Sequence, residues 1–290
     1  MSAPAHEAPI PAASLILARP AAGGPEVCLL QRSAASRFMP GSWVFPGGWI
    51  DAFDHDAAFW GAHCDLAPEA IAERLARGID ADTALSAAVA AARETFEEAG
   101  VLFADRVRAD RSAPPARTGF RRCFEEGAAR LALSALAPWS HWITPVGMPR
   151  RFDTRFFAAC LPSGEEVRPD GRETTAAIWT LPRRALEENM AGRLPLSPPT
   201  LATLHELLRF ATLDRLQAET GRRGWGDPIL PRLVPLGNAR GALIVEPWDP
   251  MYASAEISID VAVLEQRVLP VGEPFSRIWN LNGFCRPVGL

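Results

Sequence analysis

The sequence predicts a protein of the α/β (α+β) class, with strands and helices interspersed along the chain. Three observations support this fold class. Short runs rich in Val, Ile and Leu are bounded by turns that contain Gly and Pro, which is typical of strands. An alanine-rich run without Pro or Gly follows the first strands and favours a helix. With 290 residues, 48% of them hydrophobic, the chain can form one enlarged domain or one domain with a small annex.

The first part of the chain predicts a hairpin, a third strand and a long helix. We expect residues 1–11, which are rich in Pro and Ala, to be disordered. Strands are predicted over residues 13–18 and 27–32, joined by a turn at Gly23-Gly24-Pro25, and over residues 43–48, which end in a Gly pair. The alanine-rich helix then begins at Asp82 or Thr83, both suitable N-caps, and ends at Gly100.

The second part of the chain alternates strands with helices and ends in a region of different pattern. Strands are predicted over 101–104, 150–159 and 173–179, an exposed loop over 105–118, and helices over 120–135, 183–189 and 201–216. A Gly-rich run at 221–226 is typical of a linker, and short strands are predicted after it over 229–234, 242–245, 257–264 and 267–271. We therefore expect a main domain over residues 12–220 and a β-rich extension over residues 221–290. The extension has no chemical motif, so it could pack on the main domain, cover its site or mediate dimerisation.

Composition excludes several classes of protein. The net charge of −4 leaves no broad basic surface for a nucleic-acid backbone, although all 30 basic residues are Arg, the better bidentate phosphate ligand. The five cysteines are scattered without a C-x-x-C pair, which is typical of reduced thiols. The sequence shows neither a secretory signal nor an apolar run of roughly 20 residues, the length of a membrane span. We expect a cytoplasmic protein that binds neither membranes nor nucleic acids.

The alanine-rich helix carries a cluster of acidic residues near its end. Glu94, Glu97 and Glu98 are spaced i, i+3 and i+4, so their carboxylates share one face of the helix. Arg93 lies four residues before Glu97 and can tether it. Carboxylates at this spacing repel one another, and a hard cation such as Mg²⁺ would relieve the repulsion. The alternative is that the cluster is an ordinary solvated charged face.

The sequence around this cluster is similar to a known signature. A Gly pair at 47–48 followed by R-E-x-x-E-E-x-G over 93–100 resembles the Nudix box, which reads G-x5-E-x7-R-E-U-x-E-E-x-G-U, where U is a bulky apolar residue. The second half of the box matches at every fixed position. Gly48 and Arg93 are 45 residues apart instead of 14, so an insertion of about residues 51–80 splits the box. Counted back from Arg93, the first Glu of the box falls at Leu85 and is missing.

The position of this insertion indicates one branch of the Nudix family. A long insertion inside the box, with W-x-T-P at 142–145 and R-R-F-D-T-x-F-F at 150–157, resembles the acyl-CoA diphosphatase branch. The resemblance implies an α/β/α sandwich with a mixed sheet. It implies a hydrolase of a nucleoside diphosphate linked to another moiety, with CoA or acyl-CoA as the small-molecule nucleotide substrate. It also implies dependence on Mg²⁺ or Mn²⁺.

The resemblance assigns roles to the residues of the box, and it makes Glu94, Arg93 and Glu97 the expected catalytic residues. Glu97 and Glu98 are expected to be the principal metal ligands. Glu94 is expected to be a further ligand or the base that takes a proton from water. Arg93 would orient Glu97, and the Gly47-Gly48 turn would let the backbone approach the metal cluster.

Other polar residues are weaker candidates for the site. Arg150, Arg151 and Arg155 could bind substrate phosphates or form ordinary salt bridges. Glu173 precedes a strand, where a Glu in some Nudix enzymes holds metal or activates water; otherwise it is an ordinary edge residue. His141 lies between two tryptophans, which favours packing over catalysis. The His, Cys and Asp residues of the insertion lack a recognisable ligand spacing, so a polar lid or a dimer element is favoured over a structural metal site.

Three functions remain open from the sequence alone. The first is hydrolysis of CoA or acyl-CoA, which the split box and the segment at 150–157 favour. The second is hydrolysis of another dinucleotide, such as ADP-ribose or NADH. The third is a Nudix-fold binding or regulatory module without turnover, which the missing Glu favours and the intact acidic cluster opposes. The number of metal ions, the general base and the oligomeric state, including a possible homodimer, also remain open.

Overall fold

A computed structural model gives the fold and describes residues 8–36, 39–105, 117–125, 129–237, 241–257 and 259–290. Within these residues the main domain contains a seven-stranded sheet. Its strands are β1 (Ile10–Ala21), β2 (Gly24–Arg32), β3 (Trp43–Val44), β4 (Gly47–Trp49), β5 (Ala137–Ile143), β6 (Phe152–Cys160) and β7 (Thr174–Thr180). The disorder expected for residues 1–11 falls mostly outside the described residues, and Ile10 and Pro11 already belong to β1.

The sheet is organised around β1, whose central residues are buried. β1 forms an antiparallel hairpin with β2 and a parallel pair with β6. The strand order is β3-β2-β1-β6-β5, with β4 pairing with β1 and β7 pairing with β2. The predicted strands over 13–18, 27–32, 150–159 and 173–179 are confirmed, as is the mixed character of the sheet.

Helices cover both faces of this sheet. They are α1 (Ala57–His63), α2 (Pro68–Ile71), α3 (Ala81–Ala99), α4 (Arg117–Glu125), α5 (Pro182–Met190), α6 (Pro198–Leu207) and α7 (Leu213–Thr220). Alternate residues of β1 divide between two cores, as the period of a strand requires. Leu15 and Leu17 belong to the core that contains α3, whereas Ile16 and Ala18 belong to the core that contains α5, α6 and α7. The expected α/β/α arrangement is therefore confirmed.

The insertion is helical and packs on α3. A short 3₁₀ turn at Ala52–His55 precedes α1, and α2 continues as a π-helical turn over Ala72–Ala76. The amphipathic pattern over residues 68–76 predicts a helix within the insertion, and α2 with its π-helical turn confirms it. Trp60 is fully buried and contacts Phe120 and Phe124 of α4. The insertion thus shares the core of the main domain.

The extension forms a second, antiparallel sheet. Its described strands are β8 (Arg232–Pro235), β9 (Ala242–Val245), β10 (Arg277–Leu281) and β11 (Phe284–Val288), in the order β11-β10-β9-β8. Ile244, Ile278 and Cys285 join the core that also holds Leu201 and Leu204 of α6. The extension therefore packs on the main domain, while the boundary near residue 220 stays a prediction.

Two elements predicted after the Nudix box are different in the structure. Residues 101–103 are buried but do not form the predicted strand, because the Leu102 amide donates to Glu165 Oε2 (3.0 Å) instead of to a neighbouring strand. The helix predicted over 120–135 is described up to Glu125, but Leu131 forms isolated bridges and Leu133–Ala135 form a 3₁₀ turn, so the second half of the prediction is wrong. Residues 106–116 of the predicted loop lie outside the described residues.

The C-terminal part of the chain also departs from the prediction. The single helix predicted over 201–216 is two helices, because Thr212 caps a new helix by accepting a hydrogen bond from the Arg215 amide (3.3 Å). The strands predicted over 257–264 and 267–271 are wrong, since 3₁₀ turns at Val261–Val263 and Glu265–Arg267 occupy the described part of this region. Their apolar side chains pack under the second sheet instead. The sequence analysis does not predict β10 and β11.

Candidate active site

The acidic cluster lies on the last turns of α3, and local bonds define both ends of this helix. Asp80 caps the N-terminus by accepting a hydrogen bond from the Thr83 amide (2.8 Å), so the helix begins slightly earlier than predicted. Gly100 ends the helix in the left-handed conformation, at φ 71°, as predicted. The alanines of α3 from Ala84 onward are buried, so the helix packs closely against the sheet. This close packing fixes the position of the acidic end of the helix relative to the sheet.

Glu94, Glu97 and Glu98 line a cleft of about 1550 Å³. This volume exceeds the roughly 300–1,000 Å³ of most small-molecule sites, so the cleft can take a long ligand. The Gly47-Gly48 pair and Glu173 line the same cleft. The structure therefore brings together the acidic residues, the glycines and the late Glu that the sequence analysis selected.

Arg93 is the buried hub of the acidic cluster, with 1% of its surface exposed. Its Nη1 donates to Glu94 Oε1 (2.8 Å) and to Glu97 Oε2 (3.2 Å), so the tether expected from the i, i+4 spacing is present. Its Nε and Nη2 donate to the two carboxylate oxygens of Asp54, at 2.9 and 2.8 Å. Burial alone would lower the pKa of Arg93, but the hydrogen bonds to Asp54 and the nearby acidic charges outweigh it and raise that pKa.

Asp54, which the sequence analysis missed, supplies a fully buried carboxylate to this hub. It lies six residues after Gly48, the spacing at which G-x5-E places the first Glu of the box. Counting back from Arg93 leads to Leu85 instead, because the insertion separates the two halves of the box. The carboxylate expected to be missing is therefore present as an Asp. Counting forward from Gly48 would have identified it.

Close contacts surround both glycines of the loop. The Gly47 amide donates to Glu98 Oε2 (3.0 Å), and a Cβ at residue 47 would lie 2.5 Å from the carbonyl oxygen of Ala13. A Cβ at residue 48 would lie 2.6 Å from the carboxyl carbon of Glu94. At residue 47 a side chain would collide with backbone, so glycine is needed there, whereas at residue 48 a side chain would push the Glu94 carboxylate out of its position. The loop thus contacts the acidic cluster directly.

Burial changes the acidity of the cluster. Burial raises the pKa of Glu94, and the charge of Arg93 offsets this effect only in part. Burial also raises the pKa of Glu98 well above its usual value, and the charges of Glu94 and Glu173 raise it further. The Gly47 amide and Arg32 act in the opposite direction. A divalent cation would supply the positive charge that these neighbouring carboxylates favour.

The chemistry of the cluster fits such a cation, although the side chains are not arranged around one. In the described part of the chain, no three or more His, Cys, Asp or Glu side chains have the geometry of a metal site, in the insertion or elsewhere. In this conformation Arg93 holds one oxygen each of Glu94 and Glu97. The donor type fits the cation, because carboxylate oxygens are what Mg²⁺ and Mn²⁺ prefer and all three glutamates of α3 line the cleft.

The loop between β6 and β7 is bonded to the end of α3. The Arg168 amide donates to Ala99 O (2.7 Å), and Thr174 Oγ1 donates to Glu98 O (2.9 Å). These bonds satisfy carbonyl groups that the last turn of a helix leaves without partners. Arg168 and Arg172 of this loop line the cleft. The loop therefore lines the cleft with both signs of charge, because Glu166, Asp170 and Glu173 of the same loop line it as well.

The predicted arginines divide between two locations. Arg150 lines the cleft, together with Arg32. Arg151 and Arg155 are not among the residues described along the cleft; the Arg151 Nε donates to Thr144 O (3.0 Å) and the Arg155 Nη1 to Asp153 Oδ1 (3.3 Å). The alternation of β6 explains this, because the intervening residues 152, 154 and 156 occupy the cleft side of the strand. A binding role for Arg151 and Arg155 stays a prediction.

His141 is buried and bonds to Asp153 through its Nε2. Burial would raise the pKa of Asp153, but the hydrogen bond and the charge of His141 outweigh it and lower that pKa. The pair connects β5 with β6 and is not part of the described cleft lining. These contacts support the packing role predicted for His141.

A second part of the cleft lining is apolar. It includes residues of the main domain and residues of the extension, namely Val44, Phe45, Trp142, Phe152, Phe156, Pro231, Leu233, Ala242 and Ile244. The acidic residues lie on α3, which covers one face of the main sheet, whereas Ile244 belongs to the core on the other face. The cleft therefore connects a charged region with an apolar one. No motif in the sequence indicates this apolar region.

Comparison with known proteins agrees with the geometry of the site. Residues 6–209 match the model of a family described as the NUDT19 Nudix domain. The protein named acyl-coenzyme A diphosphatase NUDT19 from Gallus gallus is 30% identical, and the alignment covers 92% of this chain and 88% of that protein. The Homo sapiens protein of the same name is also 30% identical, over 89% of this chain and 82% of its own length.

A solved structure agrees with these sequence matches. The crystal structure of a NUDIX hydrolase from Alicyclobacillus acidocaldarius has a TM-score of 0.58 and 29% sequence identity, and it covers 73% of this chain and 96% of its own. More than a quarter of this chain therefore has no counterpart in that structure. None of the helices in the described residues combines the length and apolar character needed to cross a lipid bilayer.

Proposed function

The chain belongs to the Nudix hydrolase family, in the branch of the NUDT19 Nudix domain, and from this premise we propose that it hydrolyses the phosphoanhydride of CoA or acyl-CoA. The proposed products are 3′,5′-ADP and 4′-phosphopantetheine or its acyl derivative. The observation that carries the proposal is the likeness to acyl-coenzyme A diphosphatases, which extends over 92% of the chain. A long cleft with a charged region and an apolar region supports it.

The chemistry of this reaction sets what the site must supply. The oxygen of a water molecule forms a bond to one phosphorus, the bridging P–O bond breaks, and the leaving phosphate takes the bonding electrons. The water loses a proton to a base. The attacked group is already anionic, so the barrier is largely electrostatic. At about 4 Å, two unit charges interact by roughly 4 kcal/mol at an effective dielectric near 20, so each charge placed at the site matters.

We assign these tasks to the residues that line the charged region. Glu97 and Glu98 would hold a divalent cation, for which Mg²⁺ or Mn²⁺ is proposed. Glu94 would be a further ligand or the general base. When bound, the cation would neutralise charge on the phosphates and polarise the attacking water. Arg93 keeps Glu94 and Glu97 in place through its buried hydrogen bonds.

The arginines of the cleft suit the phosphates of the substrate. Arg32, Arg150, Arg168 and Arg172 line the cleft that contains the acidic cluster. A guanidinium group binds phosphate oxygens through two parallel hydrogen bonds, and it stays charged at any physiological pH. We propose that these arginines orient the diphosphate, and that Glu173 contributes to the metal or water site from the opposite loop.

The test is an assay of purified protein with Mg²⁺ or Mn²⁺ and a panel of CoA, acyl-CoAs, ADP-ribose, NADH and diadenosine polyphosphates. We expect selective release of 3′,5′-ADP from CoA compounds, read by chromatography. Glu98→Gln should fold normally and lower kcat by about 10³-fold or more, because it removes a charge that acts on the transition state. Glu187→Gln, an exposed change on α5, is the matched control and should leave kcat unchanged.

The outcomes separate the candidate functions. Cleavage of ADP-ribose or NADH but not of CoA would keep the site and replace the substrate. A folded Glu98→Gln variant with wild-type turnover would overturn the assignment of the acidic cluster. Absence of metal-dependent cleavage with every substrate would favour the binding-module alternative. Cytoplasmic location, a homodimer and the lack of nucleic-acid partners stay predictions.

A further inference from the structure

We infer that the extension forms the binding site for the acyl chain of the substrate, on the cleft-facing side of its sheet. The inference rests on the proposed acyl-CoA substrate and adds the part of the molecule that would select it. Leu233, Ala242 and Ile244 from this sheet line the same cleft as the acidic cluster. Of the three roles left open for the extension by the sequence, packing on the main domain is observed, and the shared cleft lining supports covering the site as well.

The register of the extension places aliphatic side chains in rows on one face. Leu233 of β8 pairs with Ile244 of β9, and Ile244 pairs in turn with Ile278 of β10. All three pack in the core shared with the main domain. In the neighbouring row, Ala242 pairs with Asn280, and both line the cleft. This face is therefore apolar, except for the side-chain amide of Asn280 at the cleft.

The other face of the sheet has a different occupant. Val234, Leu243 and Trp279 alternate with the cleft-facing residues and point into a separate core. Apolar side chains from the segment between β9 and β10 fill that core from outside, namely Ile257, Ile259, Val261, Val268 and the buried Leu264. The sheet is therefore supported from behind, which lets its cleft side stay apolar and partly open without losing its shape. Leu233 and Ala242 are only partly buried, because they face the cleft.

Backbone pairing with the main sheet holds the extension against the cleft. The Ile229 amide donates to His141 O (2.8 Å), and the Ile143 amide donates to Ile229 O (2.8 Å), so this segment adds to β5. β8 begins three residues later, and Trp142 of β5 lines the cleft between these two bonds. The apolar wall is therefore attached to a strand of the site itself.

The chemistry of the substrate indicates which part of it binds here. The reacting diphosphate must lie at the acidic cluster, so the remainder of the molecule has to occupy the rest of the cleft. An aliphatic chain is desolvated favourably by aliphatic and aromatic side chains, such as those of Leu233, Ile244 and Phe156. A partly exposed apolar surface inside a cleft is typical of a binding groove. The occupant we assign is the fatty acyl group.

The test compares binding of CoA, butanoyl-CoA, octanoyl-CoA and dodecanoyl-CoA without metal, in EDTA, and cleavage of the same compounds with Mg²⁺. We expect affinity of the wild type to rise with chain length, by up to about fourfold for each buried methylene. Ala242→Phe narrows the apolar region, and it should reduce the preference for dodecanoyl-CoA over CoA by roughly tenfold or more. Leu233→Ala, which removes part of the wall, should reduce the preference as well. Ala255→Phe makes the matched change at an exposed alanine of the extension and should have no effect.

Binding and cleavage are measured separately, so a failure of this inference can be distinguished from a failure of the proposed hydrolysis. If the wild type cleaves CoA compounds but its affinity does not change with chain length, the inference is wrong and the proposed function stands. The inference is also wrong if Ala242→Phe and Leu233→Ala fold normally and keep the wild-type dependence on chain length. If the wild type cleaves no CoA compound, yet Ala242→Phe weakens a chain-length-dependent affinity measured without metal, the inference stands and the proposed hydrolysis fails.

Discussion

The insertion and the extension both support the cleft, but only the extension contributes to its described lining. The insertion acts from behind the acidic cluster, because Asp54 binds Arg93 in the protein interior and Arg93 in turn binds Glu94 and Glu97. The extension acts across the cleft, where it contributes apolar side chains such as Leu233. The comparison teaches that one addition can set the position of catalytic groups while another shapes the space for the ligand.

The two additions also differ in the physical force that holds them. Asp54 and Arg93 form a buried ion pair, which is sensitive to the loss of either partner because the other charge is left uncompensated. The extension is held mainly by an apolar face and by backbone pairing with β5. Mutations in the insertion should therefore change kcat and stability, and mutations on the cleft face of the extension should change substrate preference.

The largest effect that tests this contrast is expected for Asp54→Asn. The change keeps the side-chain volume but removes the charge partner of Arg93, so the free energy of unfolding should fall by about 3 kcal/mol. The freed Arg93 should hold Glu94 and Glu97 less well, and kcat should fall about 10- to 100-fold, as when outer partners of metal ligands are removed. Chemical denaturation and steady-state kinetics would measure both effects.

Asp54→Glu is the matched control for this variant, because it restores a carboxylate of the type that the Nudix box carries at this spacing. It should keep most of the activity. A change of acyl-chain preference in Asp54→Asn would break the contrast between insertion and extension. Wild-type kcat in a folded Asp54→Asn variant would remove the role assigned to the buried pair.

A smaller effect, confined to stability, is expected for Glu246 of the extension. Its carboxylate is fully buried, and among the described residues neither oxygen has a hydrogen-bond partner. Burial raises its pKa from 4.5 to about 8. The folded state then holds a proton that the unfolded state loses above about pH 4.5, so this group stabilises the fold least at high pH. The contribution should fall by roughly 3 kcal/mol between pH 5 and pH 8.

Glu246→Gln should remove this pH dependence and raise the free energy of unfolding relative to wild type at pH 8 to 9, with little difference at pH 5. Denaturant titrations at several pH values would show it. Glu256→Gln, an exposed change in the same extension, is the control. Since Glu246 does not belong to the described cleft lining, kcat should stay unchanged at a given pH where both proteins are folded. Parallel pH profiles of stability for wild type and Glu246→Gln would contradict the prediction.

The smallest expected effect comes from Asp80, at the junction between the insertion and α3. Asp80→Ala removes the N-cap of the catalytic helix and should lower the free energy of unfolding by about 1 kcal/mol, a shift in Tm of about 2 to 4 °C. Asp80→Asn keeps a capping oxygen and should be close to wild type. The acidic cluster lies at the other end of the helix, so kcat should be unaffected. A large loss of kcat in Asp80→Ala would mean that the start of the helix also positions the cluster.

Local patterns made the main domain predictable. The helix α3, its Gly100 end and the first hairpin follow from residues that are close in sequence. Apolar runs were a less reliable signal for strands, because the same pattern also occurs in segments that form no strand and are buried by other contacts. Residues 101–103 and 257–264 are of the second kind. The hairpin of β10 and β11 carries the Asn282-Gly283 turn, with φ angles of 51° and 83°, a signal that could have been used.

The site was predictable where it is contiguous in sequence and unpredictable where it is assembled by the fold. Glu94, Glu97 and Glu98 lie in one motif, so their shared location in the cleft could be foreseen. Asp54 reaches the cluster across 39 positions and required counting from the other end of the box. Leu233 lines the cleft only because the second sheet folds back on the first, and no spacing in the sequence encodes that.

The pairing of Ile229 with β5 has a consequence for the solution behaviour of the chain. β5 is the last strand in the order of the main sheet, and a bare edge strand presents amide and carbonyl groups that can pair with another molecule. The segment around Ile229 occupies part of that edge, and Ile244, Ile278 and Cys285 of the sheet beyond it complete the apolar core that contains α6. A chain ending at residue 220 would expose the edge of β5 and the apolar surface of this core. We therefore expect such a shortened chain to aggregate instead of forming a smaller enzyme.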